Sequence, residues 1–315
     1  MTPSAPRSAE LKAAVVAAVG AISVGFVPMF VTGLQKAGMS TPSTLLWRYI
    51  VALAILVPLA LWFHRLVDEW HRGGKWLVLN GLTLGVTQVF CYFKAIETLP
   101  TSVVVTLFYF YPVLALLLDR ILFRLPIHRA TLVGVTTIIL GVALTSSPGF
   151  SGATIDPQGL VFVALSALGY ALYIAAAYPV TKSVAPLASA VFIYGSYATA
   201  FGLTALVRGF ALPPSPELWL NVLFIGTLGG ALQILSFSYA LPRLASSGYA
   251  VIVCLEVVTV VVAGVLLLGE RLSALQWLGI ALVLGGILLE RVARSARQAR
   301  VAPATASPGR GESQP

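Results

Sequence analysis

Charge is what this chain has least of. Its 315 residues include 20 Lys and Arg and 11 Asp and Glu, so 10% are charged, where a soluble domain carries about 25%. Hydrophobic residues make up 58%, and mean hydropathy is +0.92. In water such a chain would expose large apolar patches, which excludes an ordinary soluble protein. Cysteine is nearly absent too. Cys91 and Cys254 each sit inside an apolar run. Two such residues build no disulfide framework and lack the paired spacing of a zinc site; they read as small buried side chains. The three histidines, His64, His71 and His128, fall in expected loops, so no metal and no cofactor is expected. No G-x-x-x-x-G-K-[ST] loop occurs, which argues against ATP-driven pumping. The net charge of +9 would suggest nucleic acid in a soluble protein. Here the basic residues lie between apolar runs and in the C-terminal tail, where membrane topology puts them. The expected partner is the lipid bilayer, not nucleic acid.

What the chain does have is apolar runs near the ~20 residues that span a bilayer. Bounded by charge, Pro and Gly, ten fall at approximately 11–34, 43–63, 76–98, 101–122, 129–147, 159–180, 187–208, 217–240, 246–268 and 273–292. The run after Lys12 exceeds the roughly 7–15 residues of a signal-peptide core and reads as a retained first helix. With the N-terminus inside, fifteen of the 20 Lys and Arg fall on the inner side. Lys36, Arg208 and Arg271 fall outside, and Arg48 and Lys94 lie within spans. This asymmetry puts both termini in the cytoplasm, and the bacterial inner membrane is the expected location. Trp47, Trp62, Trp76, Trp219 and Trp277 sit near span ends, at the headgroup level this ring prefers. Segment 1–10 and the basic tail 293–315 lack apolar residues and are expected to be disordered.

The chain also repeats itself. At an offset of 145, "GLTLGVTQVFCYFKAIETL" (81–99) aligns with "GTLGGALQILSFSYALPRL" (226–244), with identities at Gly81/Gly226, Gly85/Gly230, Gln88/Gln233, Ala95/Ala240 and Leu99/Leu244. The same offset matches Gly134/Gly279 and Gly141/Gly286. The unit is five spans, twice. Because five is odd, the second copy enters the membrane in the opposite sense. The expected fold is all-α integral membrane: ten transmembrane helices as two inverted five-helix repeats. Such symmetry suits alternating access. Gly81, Gly85, Gly226 and Gly230 form small-xxx-small pairs and read as helix-packing positions.

The stretch "LEVVTVVVAGVLLLGERLSALQWLGIALVLGGILL" (255–289), with its Gly269-Glu270-Arg271 turn, and "FKAIETLPTSVVVTLFYFYPVLALLL" (93–118) carry a resemblance. Over about 13–292 the chain resembles the EamA-type branch of the drug/metabolite transporter superfamily. It departs from the family's Glu-Pro pair, keeping Pro112 after Tyr111 in one half and Glu256 before Val257 in the other. The resemblance implies EamA-like repeats at 11–147 and 159–292, joined by a linker at 148–158. It also implies metabolite transport, with efflux as the direction.

Candidate site residues follow from polarity inside spans. At about 100° per residue, Asn80, Thr83, Thr87, Cys91, Lys94 and Thr98 share one stripe of the third span, expected to face protein or water. Lys94 lies near the outer end, so snorkelling to the headgroups is its alternative; Glu97 reads as a solvated cap. Glu256 sits near the middle of the ninth span, where a carboxylate costs about 3 kcal/mol, and its repeat partner is Tyr111. Gln88 and Gln233 each need hydrogen bonds. Tyr239, the counterpart of Lys94, shares a face with Ser236. Arg48 reads as snorkelling or paired between helices rather than contacting substrate. Tyr170, Tyr173, Tyr194 and Tyr197 suit an amphipathic cavity, and Pro28 and Pro179 are candidate bends.

The expectation is a secondary transporter for a small polar or zwitterionic metabolite, with amino acids among the candidates. Its cavity is lined by the first, third, fourth, sixth, eighth and ninth spans, a choice resting partly on the resemblance. Lys94 is expected to attract a carboxylate, and Glu256 to bind an amine or carry a coupling proton. The alternatives are a passive channel and a membrane-embedded enzyme or lipid-handling protein; sparse Asp and Glu in the spans weigh against an enzyme. Nothing in the sequence indicates an oligomeric state.

Overall fold

The computed structural model describes residues 7–99, 101–125, 127, 129–145, 156–268 and 273–301. The Gly269-Glu270-Arg271 turn, His128, most of the 148–158 linker and the tail beyond 301 lie outside the described residues. Every regular element among the described residues is helical. With so few polar side chains and lipid as solvent, backbone N–H and C=O groups must pair within their own segment.

The first half begins with α1 (Arg7–Gly25) and α2 (Val27–Lys36), separated at Phe26 because Pro28 in the first turn of α2 has no N–H to carry the ladder through. Next comes α3 (Thr41–Phe63), where the Ser40 hydroxyl caps the first turn by accepting from the Ser43 amide at 3.4 Å. Then α4 (Leu66–Glu69), α5 (Lys75–Asn80) and α6 (Val86–Thr98) join through π-helical turns at Trp70–Gly74 and Gly81–Gly85. The fourth span divides into α7 (Thr101–Phe108) and α8 (Tyr111–Phe123), with Pro112 in the first turn of α8. Finally α9 covers Arg129–Thr145.

The second half follows the same plan with α10 (Pro157–Val180), α11 (Pro186–Arg208) and α12 (Leu218–Gly226). A π-helical turn, Thr227–Leu232, leads into α13 (Gln233–Val253), followed by α14 (Leu255–Leu268) and α15 (Ala274–Val301). Among the described residues, seven stretches are long and apolar enough to cross a membrane, and Arg129–Thr145 and Ala274–Glu290 are shorter apolar helices. One of the seven, Leu218–Leu266, has 49 residues, about 73 Å of helix against a ~30 Å hydrocarbon core. Its helical dihedrals break at Ala245 (φ 61, ψ 170), which divides it into two lengths that each suffice for a pass. Helix α1 starts before the expected residue 11, and α15 continues beyond 292 to Val301 instead of dissolving into a tail.

Glycine contacts reveal how the halves meet. Gly81 abuts Ser196 and Gly85 abuts Tyr197, closely enough that a Cβ at either would overlap its neighbour. Their repeat counterparts Gly226 and Gly230 abut Val51 and Ala52. Val51 and Ala52 are themselves the counterparts of Ser196 and Tyr197 at the offset of 145, so each contact occurs twice with the halves exchanged. Helices α9 and α15 cross in the same reciprocal way: Gly134 faces the carbonyl of Gly286, and Gly141 that of Gly279. The pairing runs in opposite sequence directions, so these equivalent helices are antiparallel. That is the signature of an inverted repeat about a pseudo-twofold axis.

Candidate functional site

A cavity of about 310 Å³ opens between the halves. Its wall contains six repeat pairs: Tyr49/Tyr194, Gln88/Gln233, Val89/Ile234, Tyr92/Phe237, Phe108/Val253 and Tyr111/Glu256. The cavity therefore sits on the pseudo-twofold axis. It is displaced toward the end where α3 begins, because Leu45 and Arg48 near that end line it while their counterparts Ala190 and Ile193 near the start of α11 do not.

Two opposite charges face this space. Glu256 comes from the first turn of α14, where the helix dipole favours a carboxylate. That helix starts at mid-membrane because the ladder is interrupted at Cys254, where the Val257 amide reaches back only to the Cys254 carbonyl at 3.2 Å. The same interruption separates α7 from α8 at the equivalent Tyr109. Tyr109 also lines the cavity, as Glu256 does.

Arg48 faces Glu256 from α3. Its guanidinium donates to the carbonyl of Gly229, inside the π-helical turn of the other half, where the ladder is locally disrupted. In the same cavity wall the Tyr194 hydroxyl donates to Gln233 Oε1 at 2.9 Å. The Arg48 Nε is buried with no hydrogen-bond partner. Arg48 and Glu256 feel each other's charge but do not form an ion pair within 4.0 Å; among the described residues that distance is met by Arg72–Glu69 at 3.2 Å. Both line the cavity. Aromatic rings complete the wall. Tyr49 packs on Tyr194 (5.0 Å) and Tyr197 (5.4 Å), and Tyr111 meets Tyr170 edge-on at 4.8 Å. Such rings offer apolar faces with polar tips.

Of the residues singled out in the sequence, Glu256, Tyr111, Gln88 and Gln233 line this cavity. Tyr111 spends its hydroxyl on the Ala250 carbonyl at 3.3 Å. Lys94, Thr87 and Cys91 do not line it. The third span instead presents Gln88, Val89, Tyr92 and Phe93, a face centred about 170° from Thr87 around the helix. The reason is that threonine hydroxyls need no wet face: Thr83 donates to the Leu79 carbonyl at 2.7 Å, and Thr136 and Thr137 do the same four residues back. Thr83 and Thr87 are exposed on the outside of the bundle. Cys91 is buried in helix packing, and Lys94 is half-buried on the same side as Thr87. The side chain of Glu97 lies outside what is described.

Ser236 and Tyr239 line a different feature, a groove of about 480 Å³ with Val16, Leu59, His64 and Leu187. The Ser236 hydroxyl is satisfied by the Leu232 carbonyl at 2.8 Å, and the Tyr239 ring lies 3.9 Å beneath the Arg243 guanidinium. The second and seventh spans, α3 and α11, were not among the expected walls, yet they supply Arg48, Tyr49, Tyr194 and Tyr197. Arg48 does pair between helices, but it also faces the cavity. Its only warning in the sequence was a charge inside a span; its repeat counterpart, Ile193, carries no matching signal.

Known proteins agree with this architecture. The family model described as the EamA-like transporter family matches residues 11–147 and 157–290. An uncharacterized transporter of Bacillus subtilis (strain 168), YxxF, is 26% identical over 270 residues, covering 80% of this chain and 83% of the relative. A crystal structure of a protein 15% identical in sequence superimposes with a TM-score of 0.74, covering 90% of this chain and 98% of the other. At that identity the likeness speaks for the fold alone. Repeat pattern, reciprocal packing and family match converge: the chain belongs to the EamA-like transporter family and is an integral membrane transporter.

Proposed function

We propose that the protein is a secondary carrier of a small zwitterionic metabolite, working by alternating access in a bacterial inner membrane. The observation that carries this reading is the unpaired meeting of Arg48 and Glu256 across an aromatic cavity on the axis relating the halves. Arg48 binds a carboxylate through bidentate, charge-assisted hydrogen bonds. Glu256 binds an ammonium group, or holds a proton when the cavity is empty. The tyrosine and phenylalanine faces take the remaining apolar body, and the amides of Gln88 and Gln233 orient it. Amino acids fit this description of the ligand.

Ten passes with both termini in the cytoplasm are supported by dividing Leu218–Leu266 at Ala245, by counting the shorter helices Arg129–Thr145 and Ala274–Glu290, and by the inward bias of Lys and Arg. In that orientation the cavity opens to the outside. Exchanging the conformations of the two repeats opens it to the cytoplasm. Efflux is the direction the family suggests.

A thermal-shift screen of the purified protein against zwitterionic, anionic and cationic metabolites tests the ligand class. Stabilisation confined to purely cationic compounds would remove Arg48 from recognition. Counterflow in proteoliposomes with a hit separates a carrier from a channel, because a channel shows no exchange acceleration.

A further inference from the structure

Most hydroxyls in these helices are satisfied by a carbonyl three or four residues back. Ser23 donates to Gly20, Ser196 to Ile193, Ser236 to Leu232 and Thr204 to Ala200, all at 2.6–2.9 Å. Among the described residues, three buried serines lack any such bond. Ser189, Ser238 and Ser246 are each 0% exposed, and their Oγ atoms have no hydrogen-bond partner. All three belong to α11 and α13, which pack on each other. They also share one end of the molecule. Ser189 lies in the first turn of α11 and Ser246 follows the break at Ala245. That is the end away from the open cavity.

Repeat symmetry gives the place of Ser238 a meaning; Thr44, the counterpart of Ser189, does not line the open cavity, so Ser189 and Ser246 join it by burial and position. The counterpart of Ser238 is Phe93, which lines the open cavity. Other walls of the open side, Leu45, Tyr109 and Tyr197, have Ala190, Cys254 and Ala52 as counterparts, each 0% exposed. When the repeats exchange conformations, those counterparts become the walls. We propose that Ser189, Ser238 and Ser246 mark a second half-cavity, closed in this conformation, that opens to the cytoplasmic side and takes the polar groups of the substrate. The proposal rests on the alternating-access reading above, and it explains three buried hydroxyls that packing leaves unsatisfied.

The two half-cavities differ in charge. Arg48 has Ile193 as its counterpart, so the closed side gains no cation from that position. At the same end the Asp119 carboxylate accepts from the Ser247 amide at 2.8 Å. A substrate carboxylate released by Arg48 enters a path of hydroxyls with no guanidinium at the position equivalent to Arg48, which favours release over retention. Glu69 holds this end shut from the first half: its carboxylate accepts from the Ala185 amide at 2.8 Å, at the start of α11.

The test uses single-cysteine proteins in a Cys91→Ser/Cys254→Ser background, in right-side-out and inverted vesicles, with a membrane-impermeant sulfonated maleimide. Ser238→Cys is expected to label from the cytoplasmic face and Phe93→Cys from the outer face. Adding Glu69→Ala raises the Ser238→Cys rate and lowers the Phe93→Cys rate, by roughly tenfold for the loss of one charge-assisted hydrogen bond. Ser189→Cys serves where Ser238→Cys does not insert. Failure of both serine sites to label from either face, while Phe93→Cys labels, overturns the second half-cavity and leaves the first intact. Failure of Phe93→Cys to label from outside overturns the carrier reading itself.

Discussion

Arg48 of the first repeat and Glu256 of the second line one cavity and remain apart, Arg48 held by the carbonyl of Gly229. A permanent ion pair here would fill the space a substrate needs. Two charges that do not pair leave it available.

Replacing Arg48 by Gln keeps hydrogen bonding but removes the charge. A charge-assisted bond contributes about 1.5–3 kcal/mol, so carboxylate-bearing ligands should bind roughly 10- to 100-fold more weakly. Cationic analogues lacking the carboxylate should be unaffected. Equilibrium binding of the paired ligands to purified protein checks this; equal losses for both would assign Arg48 a structural task, through Gly229.

Glu256→Gln removes the carboxylate from the site and leaves a group of similar size. The variant should insert and melt like the parent, while pH-driven uptake in proteoliposomes disappears. Normal pH-dependent uptake would take Glu256 out of the coupling.

Lys94 lies outside the cavity wall. Lys94→Ala should therefore change ligand affinity less than about twofold, against the tenfold or greater loss predicted for Arg48→Gln. The same binding assay compares them.

The α9–α15 crossing should tolerate no side chain. A Cβ on Gly141 would lie 2.6 Å from the Gly279 carbonyl and 2.7 Å from the Val283 amide, both backbone atoms that cannot swing away. Gly141→Val should cost about 1–3 kcal/mol or more. Gly285, where an added Cβ would meet nothing within 4 Å, is the control: Gly285→Ala should be neutral or stabilise by about 0.5–1 kcal/mol. Thermal melts in detergent read both.

Asp119 is 1% exposed and caps the Ser247 amide at 2.8 Å. Asp119→Ala should destabilise by about 1.5–3 kcal/mol, because a buried N–H loses a charged acceptor. Asp119→Asn retains an acceptor and should fall between the two in the same melts.

Much of this architecture was legible in one dimension. The ends of α3 and α11, Thr41–Phe63 and Pro186–Arg208, differ by 145 at both boundaries, the offset already visible in the glycine and glutamine matches. Hydropathy and repeat spacing are properties of single segments, so they survive without coordinates. Glu256 was legible for the same reason: a carboxylate within an apolar run needs compensation wherever it ends up.

The inward face of α6 is the reverse of the one its polar stripe suggests, because polarity within a membrane helix does not by itself mean water. Threonine hydroxyls bond their own helix, and the cavity face is built from Gln88 and aromatic rings. The break at Cys254 was also hidden, since Val257 stands where the other half has Pro112. There the residue equivalent to Pro112 keeps its amide, which bonds the Cys254 carbonyl at 3.2 Å.

By itself the sequence determined the solvent, the repeat and the inversion, because charge scarcity, run length and an odd number of spans act locally and add along the chain. Only the tertiary structure decided which side chains share the cavity. Arg48 meets Gly229, and Glu256 lines the cavity with Tyr109, across separations of more than a hundred residues. Which face of each helix points inward is set by close packing of the small residues on its neighbours, and no local signal encodes that.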